Sequence, residues 1–292
     1  MVNSNIAKKD LDTEMTVVRN EYEMGENKPV SVMVKRMQGI LFDWHAYGRN
    51  TIGARSDIEN VPIENLQAFY HKWYQPDNAV LTVSGKFDET KVLTWITETF
   101  GKIPRPTRVL PAEWTVEPVA DGPRYFEIRR PGESQLVAVG YRIPSAIAAD
   151  NNAVETAVDV LSSAPRGRLY KALVETGMAG QVFGWAMSAK CPSFVMFGAM
   201  VKKGDDIERV KNVLIDTVEN AFKKTPADET EVGLSLAEAA TDFERTLSDP
   251  EEFAVELSDY ISLGDWRLYF YDRDATAKVT PEDVNKAAAT YF

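Results

Sequence analysis

A cluster of five prolines constrains this chain more than any other feature. Proline lacks a backbone N–H and fixes φ, so neither a helix nor an inner strand runs through such a cluster. Helical and strand periodicity is weak in this segment and restarts beyond it. The pattern predicts an extended linker over 104–123 between one lobe at 1–103 and another at 124–292. The prolines are Pro104, Pro106, Pro111, Pro118 and Pro123.

The N-terminal lobe is predicted to be mostly helical. Val30, Val34, Met37 and Leu41 are spaced four, three and four residues apart, which is one face of a helix. Residues 44–60 are rich in Gly, Asn, Asp and Arg and predict a loop. Helices are expected over about 6–26, 30–41, from Pro62 through Tyr70, and 88–100, and a short apolar strand over 79–83.

The C-terminal lobe mixes strands and helices in runs, which is typical of an α+β fold with antiparallel strands. Pro144 closes one of the predicted strands. Strands are expected over about 124–130, 135–143, 180–189 and 193–202, and helices over about 150–163, 166–176, 205–224 and 228–246, with shorter helices to the end.

Charge and composition exclude some functions. The formal net charge is -11, with 44 acidic and 33 basic residues, which argues against nucleic acid or an anionic membrane surface as the main partner. No stretch approaches the ~20 apolar residues of a membrane span. The N-terminus has no export-signal pattern, so a signal, if the protein is exported to a compartment such as the periplasm, would lie upstream of this sequence. Cys191 is the one cysteine, which rules out an internal disulfide and favours a small buried hydrophobic residue.

The histidines do not form a complete metal motif. His45 and His71 are the two histidines, and neither lies in an H-E-x-x-H or H-x-x-E-H string. A mononuclear zinc site needs three protein ligands as a rule, so a complete site within this sequence is not expected. His71 lies in a predicted helix and favours a surface or packing role, while His45 is a loop residue and a weak candidate for contact with substrate or metal. No G-x-S-x-G elbow or phosphate-binding glycine loop is present.

Glu14 and Glu21 form the most informative acidic pair. They are seven residues apart on the first predicted helix, close to two turns, so both carboxylates lie on one face. The neighbouring Val17 and Val18 suggest that the helix is partly buried beside that face. Such a carboxylate could bind a metal or orient a histidine ligand, but the pattern alone favours a solvated acidic stripe.

Four segments of the chain carry a family pattern. They are EMTVVRNEYEMGEN at 14–27, FYHKWYQPDNAVLTVSG at 69–85, GRLYKALVETGMA at 167–179 and VTPEDV at 279–284. In the same order along the chain they resemble segments of the M16 (pitrilysin/insulinase-like) zinc metallopeptidases, and the resemblance covers nearly the whole chain. It places Glu21 at the family's zinc-ligand position and Glu14 at a supporting position, so a metal role becomes the favoured interpretation of this pair.

The resemblance implies two lobes of antiparallel sheet and helices that close around unfolded peptides. Zinc is the implied cofactor, held by two histidines of an H-x-x-E-H motif whose glutamate is the general base, with Glu21 as third ligand. That motif would lie upstream of Met1, and the last strands of the second lobe would follow Phe292. We therefore expect a fragment: the C-terminal part of the first, zinc-bearing lobe, the linker, and most of the second lobe. Its expected partners are a peptide substrate, the missing N-terminal segment and a further M16 half.

The sequence departs from the family at a substrate-steadying pair. Where many members have an arginine and a tyrosine, this chain has Val174 and Gly180, a pattern that resembles the second lobe of long four-lobe members. A non-catalytic M16-like subunit that binds peptides or a partner peptidase stays open as an alternative, although intact Glu14 and Glu21 argue against it. An unrelated acidic binding module would require every segment match to be coincidental.

Overall fold

The computed structural model describes residues 2–292, which divide into two compact units. The first unit is Met1–Val119 and the second is Ala120–Phe292. The boundary lies inside the segment 104–123, and the structure assigns most of that segment to the first unit. The identification of the units with two M16 lobes stays a prediction.

The first unit is built from helices. Pro29 occupies the first turn of its helix, where a missing N–H costs no hydrogen bond. Asp88 caps another helix by accepting the Lys91 N–H at 3.1 Å. The helices are α1 (Lys8–Glu26), α2 (Pro29–Leu41), α3 (Arg55–Asn60), α4 (Ile63–Trp73) and α5 (Glu89–Thr99), with 3₁₀ turns at Ala46–Gly48 and Pro76–Asn78.

Two sequence predictions are wrong in this unit. The segment 79–83 is not a strand, and the described residues of the first unit contain no strand at all. A strand must pair its N–H and C=O groups with a neighbouring strand, and apolar alternation alone does not supply one. Val80 is accordingly 67% exposed. The predicted loop 44–60 contains the short helix α3, where Arg55 and Glu59 form an ion pair one turn apart at 2.7 Å.

The second unit holds three antiparallel strands and six helices in its described residues. The strands are β1 (Ser134–Ile143), β2 (Gln181–Ala186) and β3 (Ser193–Lys202), in the order β1-β3-β2. In the register of β1 and β3, Ser134 lies opposite Lys202 and Ile143 opposite Ser193. The helices are α6 (Asn151–Ser162), α7 (Ile207–Lys224), α8 (Glu229–Ser248), α9 (Pro250–Leu263), α10 (Leu268–Thr276) and α11 (Pro281–Tyr291). The predicted α+β class is confirmed, with the sheet confined to this unit.

The core of the second unit lies around the middle strand of the sheet. Residues of β3 are buried almost without interruption, because other elements cover both faces of the strand. Helices α6, α7 and α11 contribute the apolar side chains that complete the core. Its fully buried side chains include Val154, Leu161, Leu169, Leu173, Phe197, Leu214 and Val284.

Glycine is required where β2 and β3 pair. A Cβ built on Gly198 of β3 would lie 2.3 Å from Cζ of Phe183 on β2, far inside van der Waals contact. The aromatic ring therefore covers a position that any larger residue would fill. The hydrophobic pattern predicts the strands but does not reveal this contact.

Three details of the second unit differ from the sequence predictions. Residues 124–130 form no strand in the described structure, since the edge of β1 is not paired with them. The helix predicted over 166–176 is short and contains a π turn at Tyr170–Val174. Cys191 is half-buried rather than buried, in the turn before β3.

Candidate functional site

Glu14 and Glu21 lie on an exposed part of α1. Both side chains are exposed, and within residues 2–292 neither carboxylate makes a hydrogen bond or an ion pair. The half-buried side chains of this helix, Leu11, Met15, Val18 and Tyr22, form a separate stripe at helical spacing. The two glutamates flank this stripe on one side, so they are available to a partner group.

The neighbouring Glu23 lies elsewhere on the helix. Two residues correspond to a rotation of about 200°, so Glu23 is on the opposite flank from Glu21. There it faces Arg55 of α3, with 3.7 Å between the carboxylate and the guanidinium. Of the two valines expected beside the glutamate face, Val18 is half-buried, whereas the side chain of Val17 is 56% exposed. The helix thus separates one exposed carboxylate that pairs with an arginine from two that make no ion pair.

Neither histidine belongs to a group of possible metal ligands in the described chain. His45 is buried, and its Nδ1 accepts the Tyr47 N–H at 3.2 Å, while its ring contacts that of Tyr47. His71 is exposed on α4. No group of three His, Cys, Asp or Glu side chains in residues 2–292 is arranged to hold a metal ion. The residues present therefore do not fit a complete zinc site, and Glu21 could serve only as one ligand among several.

A second polar arrangement lies in the same unit and has no signal in the sequence. The carboxylate of Glu117 accepts three consecutive backbone N–H groups. Its Oε1 accepts from Asp43 at 2.6 Å, and its Oε2 accepts from Trp44 at 3.0 Å and from His45 at 2.7 Å. Successive amides that converge on one anion form a backbone nest. Glu117 and the three amides are more than 70 residues apart in sequence, so no local pattern could predict this arrangement.

The second unit contains a pair of interacting carboxylates. Glu155 of α6 accepts Ser188 Oγ–H at 2.5 Å and Asn151 Nδ2–H at 3.1 Å. Asp272 of α10 accepts Tyr260 O–H at 2.8 Å and lies close enough to repel Glu155. Burial and the Asp272 charge raise the pKa of Glu155, and the two hydrogen bonds only partly oppose them. Burial and the same two carboxylates raise the pKa of the Tyr260 hydroxyl.

A comparison with known protein families decides what the chain is. Residues 60–235, more than half of the chain, match the family model described as the peptidase M16 inactive domain. The chain belongs to the M16 peptidase family. This confirms the family resemblance of the sequence.

Relatives and solved structures support the M16 assignment. Zinc protease PqqE of Helicobacter pylori is 24% identical over 276 residues, which is 91% of this chain but 61% of that protein. A crystal structure of a protease from Helicobacter pylori has a TM-score of 0.92 at 23% identity and covers 99% of this chain and 70% of that one. The chain thus spans about three-fifths of the length of the curated PqqE relative, and the fold likeness extends over nearly all of this chain.

Two further solved structures are similar to this chain over different shares of its length. The inactive peptidase domain from Bordetella parapertussis is 36% identical and covers 56% of this chain and 89% of that one, with a TM-score of 0.52. The first half of the periplasmic protease PqqL from Escherichia coli covers 98% of this chain and 64% of that one, with a TM-score of 0.67 at 14% identity. No helix in residues 2–292 has the length and apolarity to cross a membrane.

Arg168 connects separate elements of the second unit. Arg168 binds both carboxylate oxygens of Glu231, at 3.0 and 2.5 Å, and donates to the Thr225 carbonyl at 2.7 Å. Its guanidinium also lies 4.5 Å from the ring centroid of Phe222. The guanidinium thereby holds Glu231 of α8 close to Thr225, because planar bidentate pairing constrains direction as well as distance.

Val174 and Gly180, which the family resemblance aligns with an arginine and a tyrosine of many members, carry no charged or hydroxyl group. Val174 ends the π turn and packs against the core of the second unit. Gly180 is exposed just before β2. Neither residue therefore offers a side-chain hydrogen bond to a substrate.

Proposed function

We propose that this M16 chain is part of a zinc-dependent metalloendopeptidase that hydrolyses peptides or unfolded polypeptides inside a two-lobed chamber. In this proposal 1–103 belongs to the zinc-bearing lobe, 104–123 is the linker, and 124–292 is the second lobe. The observation that carries it is the exposed, unengaged pair Glu14 and Glu21 on one flank of α1. The histidine ligands are supplied by a segment or chain that this sequence does not contain.

Each glutamate has a distinct proposed role. Glu21 contributes one carboxylate ligand to zinc, and Glu14 orients the ligand set without touching the metal. A carboxylate alone competes poorly with water for zinc, so the isolated chain is expected to be inactive and to bind little of the metal. When bound, zinc would polarise the peptide carbonyl and acidify a water.

The test compares three charge-removing substitutions in a protein that carries both this chain and the histidine motif. Glu21→Gln should remove most of the bound zinc. Glu14→Gln should lower peptide hydrolysis by about 10- to 100-fold with a smaller loss of metal, as expected of a supporting residue. Glu23→Gln is the matched control, since Glu23 faces Arg55 instead. Zinc content and hydrolysis are measured for each variant, and loss of zinc only in Glu23→Gln would contradict the proposed register.

The isolated chain provides an independent test. Metal analysis of the purified protein should find far less than one zinc per chain. Stoichiometric zinc, together with peptide hydrolysis that a chelator abolishes, would show that the chain holds a complete site and would overturn the fragment proposal.

A second candidate is a non-catalytic M16 subunit that binds peptides or a partner peptidase. The observations that favour it are Val174 and Gly180 at the steadying positions and the match to the inactive domain model. It predicts saturable binding of an unfolded polypeptide with no hydrolysis, even when the histidine-bearing segment is present. Hydrolysis in that assembly would exclude it.

The compartment and partners follow from the same proposal. A periplasmic location is proposed because the similar PqqL of Escherichia coli is described as periplasmic. A second M16 half is proposed as partner, since the PqqL structure that covers this chain is itself a first half. Fractionation of cells that express the native gene tests the location.

A further inference from the structure

The linker segment is held on the first unit by Glu117. Around this residue the chain forms neither helix nor strand, and Trp114 and Val116 expose 80% and 79% of their surface. Glu117 is half-buried, with its carboxylate on the amides of residues 43–45. Arg108 makes a second polar attachment, to Asp77 at 2.7 Å. Apolar packing is therefore weak along this stretch, and charge-assisted hydrogen bonds attach it to the rest of the first unit.

The amides that bind Glu117 lie in a turn that its own side chains hold in place. His45 is buried between the rings of Phe42 and Tyr47, with centroids 6.2 and 4.2 Å away. Its Nδ1 accepts the Tyr47 N–H, which closes the turn. Gly48 packs against Phe42 so closely that an added Cβ would lie 3.1 Å from the Phe42 Cβ. A loop ordered in this way can aim three N–H groups at one anion without a large further loss of entropy.

We propose that Glu117 is a clasp that fastens the extended segment 104–119 onto the first unit. The connector between the units then begins after the clasp, where Val119 is 91% exposed. Opening the clasp lengthens the connector by the residues back to Arg108. The idea bears on the proposed function, because connector length limits how far two lobes can separate, but the clasp itself requires no catalysis.

Backbone amide hydrogen exchange at residues 43–45 tests the clasp directly. These N–H groups have a side-chain acceptor, so their protection depends on Glu117. In the wild-type chain the three amides should be protected, and Glu117→Ala should speed their exchange tenfold or more, because bonds to a charged acceptor are among the stronger ones. Glu117→Gln keeps the shape and one oxygen, so it should speed exchange less.

The controls separate a clasp from general loosening. Glu113→Ala removes an exposed carboxylate from the same segment and should leave the three amides unchanged. Amides inside α2 and α4 report whether the unit stays folded in every variant. Unprotected amides at 43–45 in the wild type, or equal exchange in wild type and Glu117→Gln and Glu117→Ala, would overturn the proposal. Because the measurement needs no peptidase activity, its failure is distinct from failure of the proposed function.

Discussion

Glu155 should make the stability of the second unit depend on pH. Its side chain is half-buried on α6, and burial together with the charge of Asp272 raises its pKa above the ordinary value of 4.5. Both of its hydrogen bonds go to Oε1, from Ser188 and Asn151, so a proton on Oε2 leaves them intact. The neutral carboxyl therefore fits the site better than the carboxylate does.

The sign of the effect follows from proton binding. At pH values between the unfolded and the folded pKa, the folded chain keeps a proton that the unfolded chain has lost. The stability that Glu155 contributes is thus complete below about pH 4.5 and is lost as the pH rises through the folded pKa. The loss amounts to about 1.4 kcal/mol for each unit by which the folded pKa exceeds the unfolded one.

The substitution that tests this is Glu155→Gln, which keeps the oxygen that accepts both hydrogen bonds and cannot ionise. Urea unfolding at pH 4, 6 and 8 should give equal stability for the variant and the wild type at pH 4. The variant should be more stable than the wild type at pH 8, because it carries no buried charge there. Glu175→Gln, at an exposed position, is the matched control and should show no such gain. Parallel pH profiles for Glu155→Gln and the wild type would refute the reasoning.

Two other substitutions test packing and pairing in the second unit. Gly198→Ala should destabilise it by about 1–3 kcal/mol in thermal unfolding, because the new Cβ overlaps the Phe183 ring, and adding Phe183→Leu should recover part of the loss. Arg168→Lys should cost about 1–3 kcal/mol in urea unfolding, since one ammonium cannot replace the fork on Glu231 and the bond to a carbonyl, whereas Arg209→Lys, at an exposed position of α7, should cost little.

The sequence predicted those elements whose pattern depends only on their own residues. The spacing of Val30, Val34, Met37 and Leu41 predicted α2, and the structure places the helix at Pro29–Leu41. The strands predicted over about 135–143 and 193–202 likewise lie close to the observed bounds of β1 and β3. In these segments, local periodicity and tertiary burial agree, which is why pattern alone was sufficient.

Predictions failed where the outcome depends on a distant partner. The segments 79–83 and 124–130 have strand composition, yet no strand pairs with them in the described residues. Glu117 is one carboxylate in a proline-rich stretch, and its role emerges only when residues 43–45 are folded beside it. For Glu14 and Glu21 the spacing predicted the shared face, but the proposed zinc role rests on the family and remains to be tested.

The order of the strands has a consequence for how the second unit is made. β1 is synthesised first but pairs with β3, and Ser134 and its partner Lys202 are 68 positions apart in sequence. Loop closure over that distance must precede the gain from pairing, so the sheet belongs to the slowly folding, non-local class. β2 and β3 are joined by a short turn and can pair early. During synthesis on the ribosome, β1 therefore stays unpaired until β3 has emerged with the β2–β3 hairpin.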